Sequence, residues 1–134
     1  TLITLGRFDD ADAELADQIA LIESTDDSSS LSSALSTLGD LRVEQRRWEE
    51  GENAYLRAIE VLEADSPDDP NIGLVVADLA RLFRDTGRPE EAAASFRRAV
   101  DLMDAGWGPS DPDCQEAAAE LDELLSSSTP EPGG

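Results

Sequence analysis

The chain repeats itself, and that restricts its fold more than any other feature. A shift of 41 residues places Leu38 on Leu79, Leu41 on Leu82 and Arg47 on Arg88. The same shift places Glu49-Glu50 on Glu90-Glu91, Arg57-Ala58 on Arg98-Ala99, and Tyr55 on Phe96. A shift of 42 places Asp69-Pro70 on Asp111-Pro112 and Leu79 on Leu121. Toward the N-terminus, Gly6-Arg7 answers Gly87-Arg88, Asp9-Asp10 answers Glu90-Glu91, and Leu15 answers Phe96. Self-similarity at a fixed period of this size marks stacked supersecondary units, each too small to bury its own apolar face.

Within each copy the apolar period is helical. Val76, Leu79, Ala80 and Phe83 form an i, i+3, i+4, i+7 stripe, and Ala92, Phe96, Ala99, Val100 and Met103 form another. Asp69 and Asp111 are placed to N-cap helices whose first residue is Pro70 or Pro112. Gly87 is placed to end a helix in the left-handed conformation, and Pro89 to open the next, with Glu90 and Glu91 near its positive end. Helices are therefore predicted at 9–24, 31–45, 48–64, 70–86, 89–105 and 112–126, with a polar loop over 25–30. No segment has the alternation of a strand. The division expected is a helical repeat domain over 1–126, made of a partial repeat 1–24, repeats 31–64 and 70–105, and a capping helix 112–126. The tail 127–134, SSSTPEPGG from Ser126 onward, lacks apolar periodicity and is expected to be disordered. The chain does not begin with Met, and its first copy keeps only the end of a first helix, so it reads as a segment of a longer polypeptide.

These residues resemble tetratricopeptide repeats. A first helix of that family carries a bulky residue, Leu-Gly and then an aromatic, to which Leu35 and Leu38-Gly39 correspond, as do Val76, Leu79-Ala80 and Phe83. A second helix carries a small residue, an aromatic and Ala, to which Gly51, Tyr55 and Ala58, and Ala92, Phe96 and Ala99 correspond. The small residue lets paired helices touch, and the aromatic fills the space beside it. The spacing exceeds the usual 34 residues and is similar to the long variant of kinesin light chains and many bacterial relatives. In that variant a Gly-x-x-(His or Asp)-Pro element precedes each first helix, which WGPSDPD and SPDDPN resemble here. Two departures fall in one copy: Arg42 stands in the place of an aromatic, and Arg46 in the place of the turn glycine. The resemblance implies an all-α fold, a right-handed α-solenoid of antiparallel helix pairs, and a role in binding other proteins.

Composition narrows the chemistry. The chain has 31 acidic and 10 basic residues, a net charge of −21, and all ten basic residues are Arg. Such acidity excludes nucleic acid and anionic membranes as partners. It fits a salt-rich cytoplasm, a basic partner or simple solubility. No 18-residue apolar run and no signal peptide is visible, so a cytoplasmic location is expected. With neither His nor Lys, the usual general base and Schiff-base nucleophile are missing, and no enzymatic activity is expected. Cys114, the one cysteine, reads as a packed thiol. The serines at 28–30 and 126–128 read as solvated linkers. Asp65, Asp68, Asp69 and Asn71 offer oxygen ligands for calcium, but the spacing lacks the central Gly and final Glu of the twelve-residue calcium loop, and turn and cap duty accounts for them. No metal or cofactor is expected. Trp48 should pack against the preceding helix. Trp107 reads as core filler between repeats, with an exposed contact as the alternative.

What remains is surface recognition. The family register implies that first helices line a concave face. Its exposed positions are Ser33, Ser36, Thr37 and Asp40 in one copy, and Leu74, Ala77, Asp78, Arg81, Arg84 and Asp85 in the next. On the last helix they are Glu116, Ala119, Glu120 and Glu123. The Lys, Asn and Arg set with which some family members clamp a terminal carboxylate is missing. A mostly acidic groove with Arg81 and Arg84 at its middle suits a protein or peptide partner with basic groups around a carboxylate. The alternative is a regulatory repeat segment appended to an enzyme or signalling domain elsewhere in the polypeptide.

Overall fold

The computed structural model describes residues 28–128, together with Ala13, Ala16, Asp17, Ile19, Ala20 and Leu21, which are helical. Five helices follow in order: α1 Ser28–Glu44, α2 Trp48–Asp65, α3 Pro70–Asp85, α4 Pro89–Trp107 and α5 Pro112–Ser128. No strand occurs among the described residues. The chain divides into two compact units, Thr1–Asp65 and Ser66–Gly134. In the first, α1 packs on α2; in the second, α4 packs on both α3 and α5.

Helix pairing rests on small residues at the points of closest approach. In the first unit a Cβ on Gly39 would lie 2.5 Å from the Tyr55 ring, closer than carbon atoms tolerate. Glycine leaves the room that ring occupies against α1, where the Tyr55 hydroxyl also donates to Asp40. In the second unit a Cβ on Gly73 would meet the Met103 side chain at 2.8 Å and the Ala99 carbonyl at 3.0 Å. Ala80, Ala92, Phe96, Ala99 and Met103 have no exposed surface along this pair. Burying Phe96 alone is worth roughly 1.5–3 kcal/mol.

The turns carry the repeat as faithfully as the core does. Gly87 adopts φ 79, and Arg88 N–H donates to the Phe83 carbonyl at 2.8 Å, closing the first helix of the pair in a Schellman turn. The preceding copy closes identically, with Arg47 N–H on the Arg42 carbonyl at 2.8 Å. There the left-handed position is held by Arg46 at φ 64, a conformation costly for a residue with a Cβ. Its guanidinium lies 5.7 Å above the half-buried Trp48 ring, a cation–π contact that offsets part of the strain. Arg42, in the aromatic's place, instead pairs with Glu50 at 3.1 Å. In the next copy Arg88 covers the Phe83 ring at 4.3 Å and pairs with Glu91. The recurring Arg and Glu-Glu of the turn are thus a structural pair.

Both expected N-caps form. Asp69 accepts from Asn71 N–H at 2.9 Å, and Asp111 accepts from Cys114 N–H at 3.0 Å. Asn71 also gives its side-chain amide to Asp69, so this carboxylate of the suspected cation loop is engaged in capping. Cys114 is buried, and burial, then the charges of Asp104 and Asp111, pushes its thiol pKa up.

Six helix ends differ from expectation, those at Glu44 and Asp65 by a single residue each. α1 already includes Ser28, inside the expected polar loop. α4 runs to Trp107, where Gly108 at φ 95 ends it. Within that last turn Gly106 lies against Pro70, where a Cβ would meet the ring at 2.6 Å. α3 stops at Asp85, and α5 runs through Ser128. Trp107 is 38% exposed, so the core-filler reading gives way to the exposed one. Apart from the six helical positions, the partial repeat 1–24 lies outside the described residues, as do residues 25–27 and the tail from Thr129.

Ala99 sits at the close contact of α3 and α4 with no exposed surface. Ala99→Trp is expected to destabilise the protein by about 1–3 kcal/mol, the usual cost of overpacking. Denaturant unfolding with an unchanged midpoint would show that Ala99 does not face α3.

Candidate partner-binding face

Spacings of three and four residues put Leu74, Ala77, Asp78, Arg81, Arg84 and Asp85 along one side of α3. The cap at Asp111 starts α5 so that Asp113, Glu116 and Glu120 also share a side. Between α3 and α5 lies a cavity of about 280 Å³ lined by Leu74, Ala77, Asp78, Arg81, Met103, Asp113 and Glu116.

Arg81, on its wall, and the exposed Arg84 are both engaged by carboxylates of the same chain. Arg81 Nε donates to both oxygens of Glu120 at 3.0 Å, and Nη2 to Oε2 at 2.7 Å. Its Nη1 is 2.9 Å from Asp78, and Glu116 lies 4.0 Å from Nη2. Arg84 reaches the same Glu120 at 3.4 Å and Asp85 at 3.3 Å. The guanidiniums therefore converge on a carboxylate, as the sequence implies, but the carboxylate belongs to α5 of the same chain. Glu120, expected as an exposed groove acid, is only 18% exposed in its side chain. Burial alone would raise its pKa. The hydrogen bonds and charge of Arg81, with Arg84 behind, outweigh that and hold it below the ordinary range. The Glu120 hydrogen bond in turn raises Arg81 against the effect of burial.

The other expected positions fall as follows. Ala77 is buried at the cavity wall, not exposed, and Leu74 is half-buried. Glu116, Ala119 and Glu123 are exposed on α5. Ser33, Thr37 and Asp40 are exposed and Ser36 half-buried on α1, in the other unit. Thr37 gives its hydroxyl to the Ser33 carbonyl at 3.0 Å, and Asp40 receives Tyr55. Two lining residues escaped the sequence reading. Asp113 was legible as the residue one turn before Glu116. Met103 was read as second-helix core, which it is, and it also lines the cavity.

Antiparallel helix pairs recurring at 41–42 residues, with small residues under aromatics, define an α-solenoid repeat protein. A family model for the tetratricopeptide repeat matches residues 30–105, more than half of the chain. The chain belongs to the tetratricopeptide repeat family. Among solved structures, the crystal structure of BtubC (BKLC) from P. vanneervenii is similar, with a TM-score of 0.83 and 17% identity. The likeness covers 92% of this chain and 50% of that one, so the chain spans half the length of BtubC. At that identity the likeness shows the fold alone. No curated protein matches. Among the described residues no helix is long and apolar enough to cross a membrane.

The Arg81–Glu120 pair should be energetically coupled. A double-mutant cycle with Arg81→Ala and Glu120→Ala is expected to give about 1–2 kcal/mol at pH 7, as for hydrogen-bonded, half-buried ions. A depressed carboxylate pKa stabilises the fold above the unfolded value, about 4.3, and that stability is lost as pH falls through the lower folded value. The coupling should therefore vanish in acid. Additivity at pH 7 would show the bridge to be inert.

Proposed function

We propose that the chain is a protein-interaction module that grips a peptide segment of its partner in the groove between α3 and α5. Membership of a family that binds proteins supports the general role. The observation that carries the specific reading is the cavity itself, whose wall combines apolar Leu74, Ala77 and Met103 with charged Asp78, Arg81, Asp113 and Glu116. Apolar side chains beside charged ones let one wall take both the stem and the polar tip of a long peptide side chain. The carboxylate half of the expected ligand drops out of the proposal, because Glu120 fills that role from within the chain. The role proposed is binding without catalysis, in a cytoplasmic setting. It is supported by the absence of His and Lys and by a single cysteine, buried with its thiol pKa raised.

A random twelve-residue peptide library displayed on phage tests the groove. Peptides selected on the wild-type chain should lose at least about tenfold in affinity for Leu74→Glu, which puts a charge on the apolar wall. They should bind Arg97→Glu, altered on the exposed surface of α4, as well as wild type. Circular dichroism of both variants verifies the fold. Equal binding by Leu74→Glu would move the site off this groove.

A further inference from the structure

The charge around the cavity specifies what a partner brings to it. We propose that the cavity between α3 and α5 receives a lysine or arginine side chain of a peptide partner, an inference that rests on the groove reading above. Three carboxylates, Asp78, Asp113 and Glu116, line the space against a single guanidinium. That guanidinium, Arg81, is already engaged by Glu120 through three hydrogen-bond contacts and by Asp78 through one. Its positive charge is neutralised inside the chain, and the rim left for a visitor is negative.

The shape agrees with the sign. At about 280 Å³ the cavity lies below the usual size of sites for small molecules and cofactors, and matches one long side chain. Leu74, Ala77 and Met103 offer an apolar wall to a methylene stem, while the acids meet the cationic tip, the division of labour that long basic side chains require. Glu116 is the loosest neighbour of Arg81, at 4.0 Å, and is exposed, so it is placed to turn toward an incoming cation. A carboxylate on the partner meets the opposite situation. It would have to displace Glu120 from Arg81 and Arg84 while approaching three like charges, which is how a site rejects the wrong ligand. The net charge of −21 also speeds the encounter with a basic segment at low salt.

The test uses the best binder from the phage library, made synthetically in three forms. Its central basic residue is kept as Lys, replaced by uncharged norleucine, or replaced by Glu. The Lys form should bind the wild-type chain about tenfold more tightly than norleucine at low salt, with the advantage shrinking as salt rises, and Glu should bind weakest. An Asp113→Asn, Glu116→Gln double variant should lose the Lys advantage and leave norleucine binding unchanged. Selected peptides without a basic residue, or equal binding of Lys and norleucine forms, would overturn the inference. The groove reading would survive that result if Leu74→Glu still abolished binding. Selected peptides indifferent to Leu74→Glu, or no peptide selected at all, would overturn both.

Discussion

The fold depends on a steric constraint: two helices of a pair come close enough that one of them must lack a side chain at the contact. Gly39 and Gly73 are those positions. A methyl group on Gly39 would enter the Tyr55 ring, and one on Gly73 would press on Met103 and the Ala99 carbonyl. Close approach brings the apolar stripes of both helices into full contact and leaves Phe96, Ala99 and Met103 without exposed surface. Pairing at this distance also fixes which side of each first helix stays uncovered.

Charge is arranged on that frame with little waste. The basic residues are few, and those at the turns hold the chain together: Arg42 and Arg47 meet Glu50, and Arg88 meets Glu91 across the Phe83 ring. Arg81 and Arg84 hold α5 to α3 through Glu120. Because arginine presents several donors in a planar fork, one carboxylate can satisfy two of them from a neighbouring helix. The surplus of acid is then left facing outward, and the groove takes its sign from that surplus.

The repeat made most of the fold readable from sequence. The stripes, the caps at Asp69 and Asp111, and the left-handed Gly87 each depend on neighbours within a few residues, which a sequence displays directly. Arg46 shows the limit of that reading: the register marks it as a glycine position, but only the structure shows that the turn keeps its geometry with a strained arginine over Trp48. The candidate face was half legible. Its α3 positions follow from spacing, whereas the pairing of Arg81 with Glu120 joins residues 39 apart and depends on how α5 lies beside α3. Trp107 escaped for a related reason: at the last position of α4, beyond the apolar stripe that ends at Met103, no periodicity says which way it faces.

The central claim is the close helix contact at a glycine in each pair, and nuclear magnetic resonance reads it directly at Gly39, where the neighbour is the Tyr55 ring. With the Tyr55 ring lying against the Gly39 backbone, the Gly39 α-protons should show ring-current shifts and strong nuclear Overhauser effects to the Tyr55 ring protons. Gly39 α-protons at ordinary helical shifts, with no such effect to Tyr55, would contradict the account.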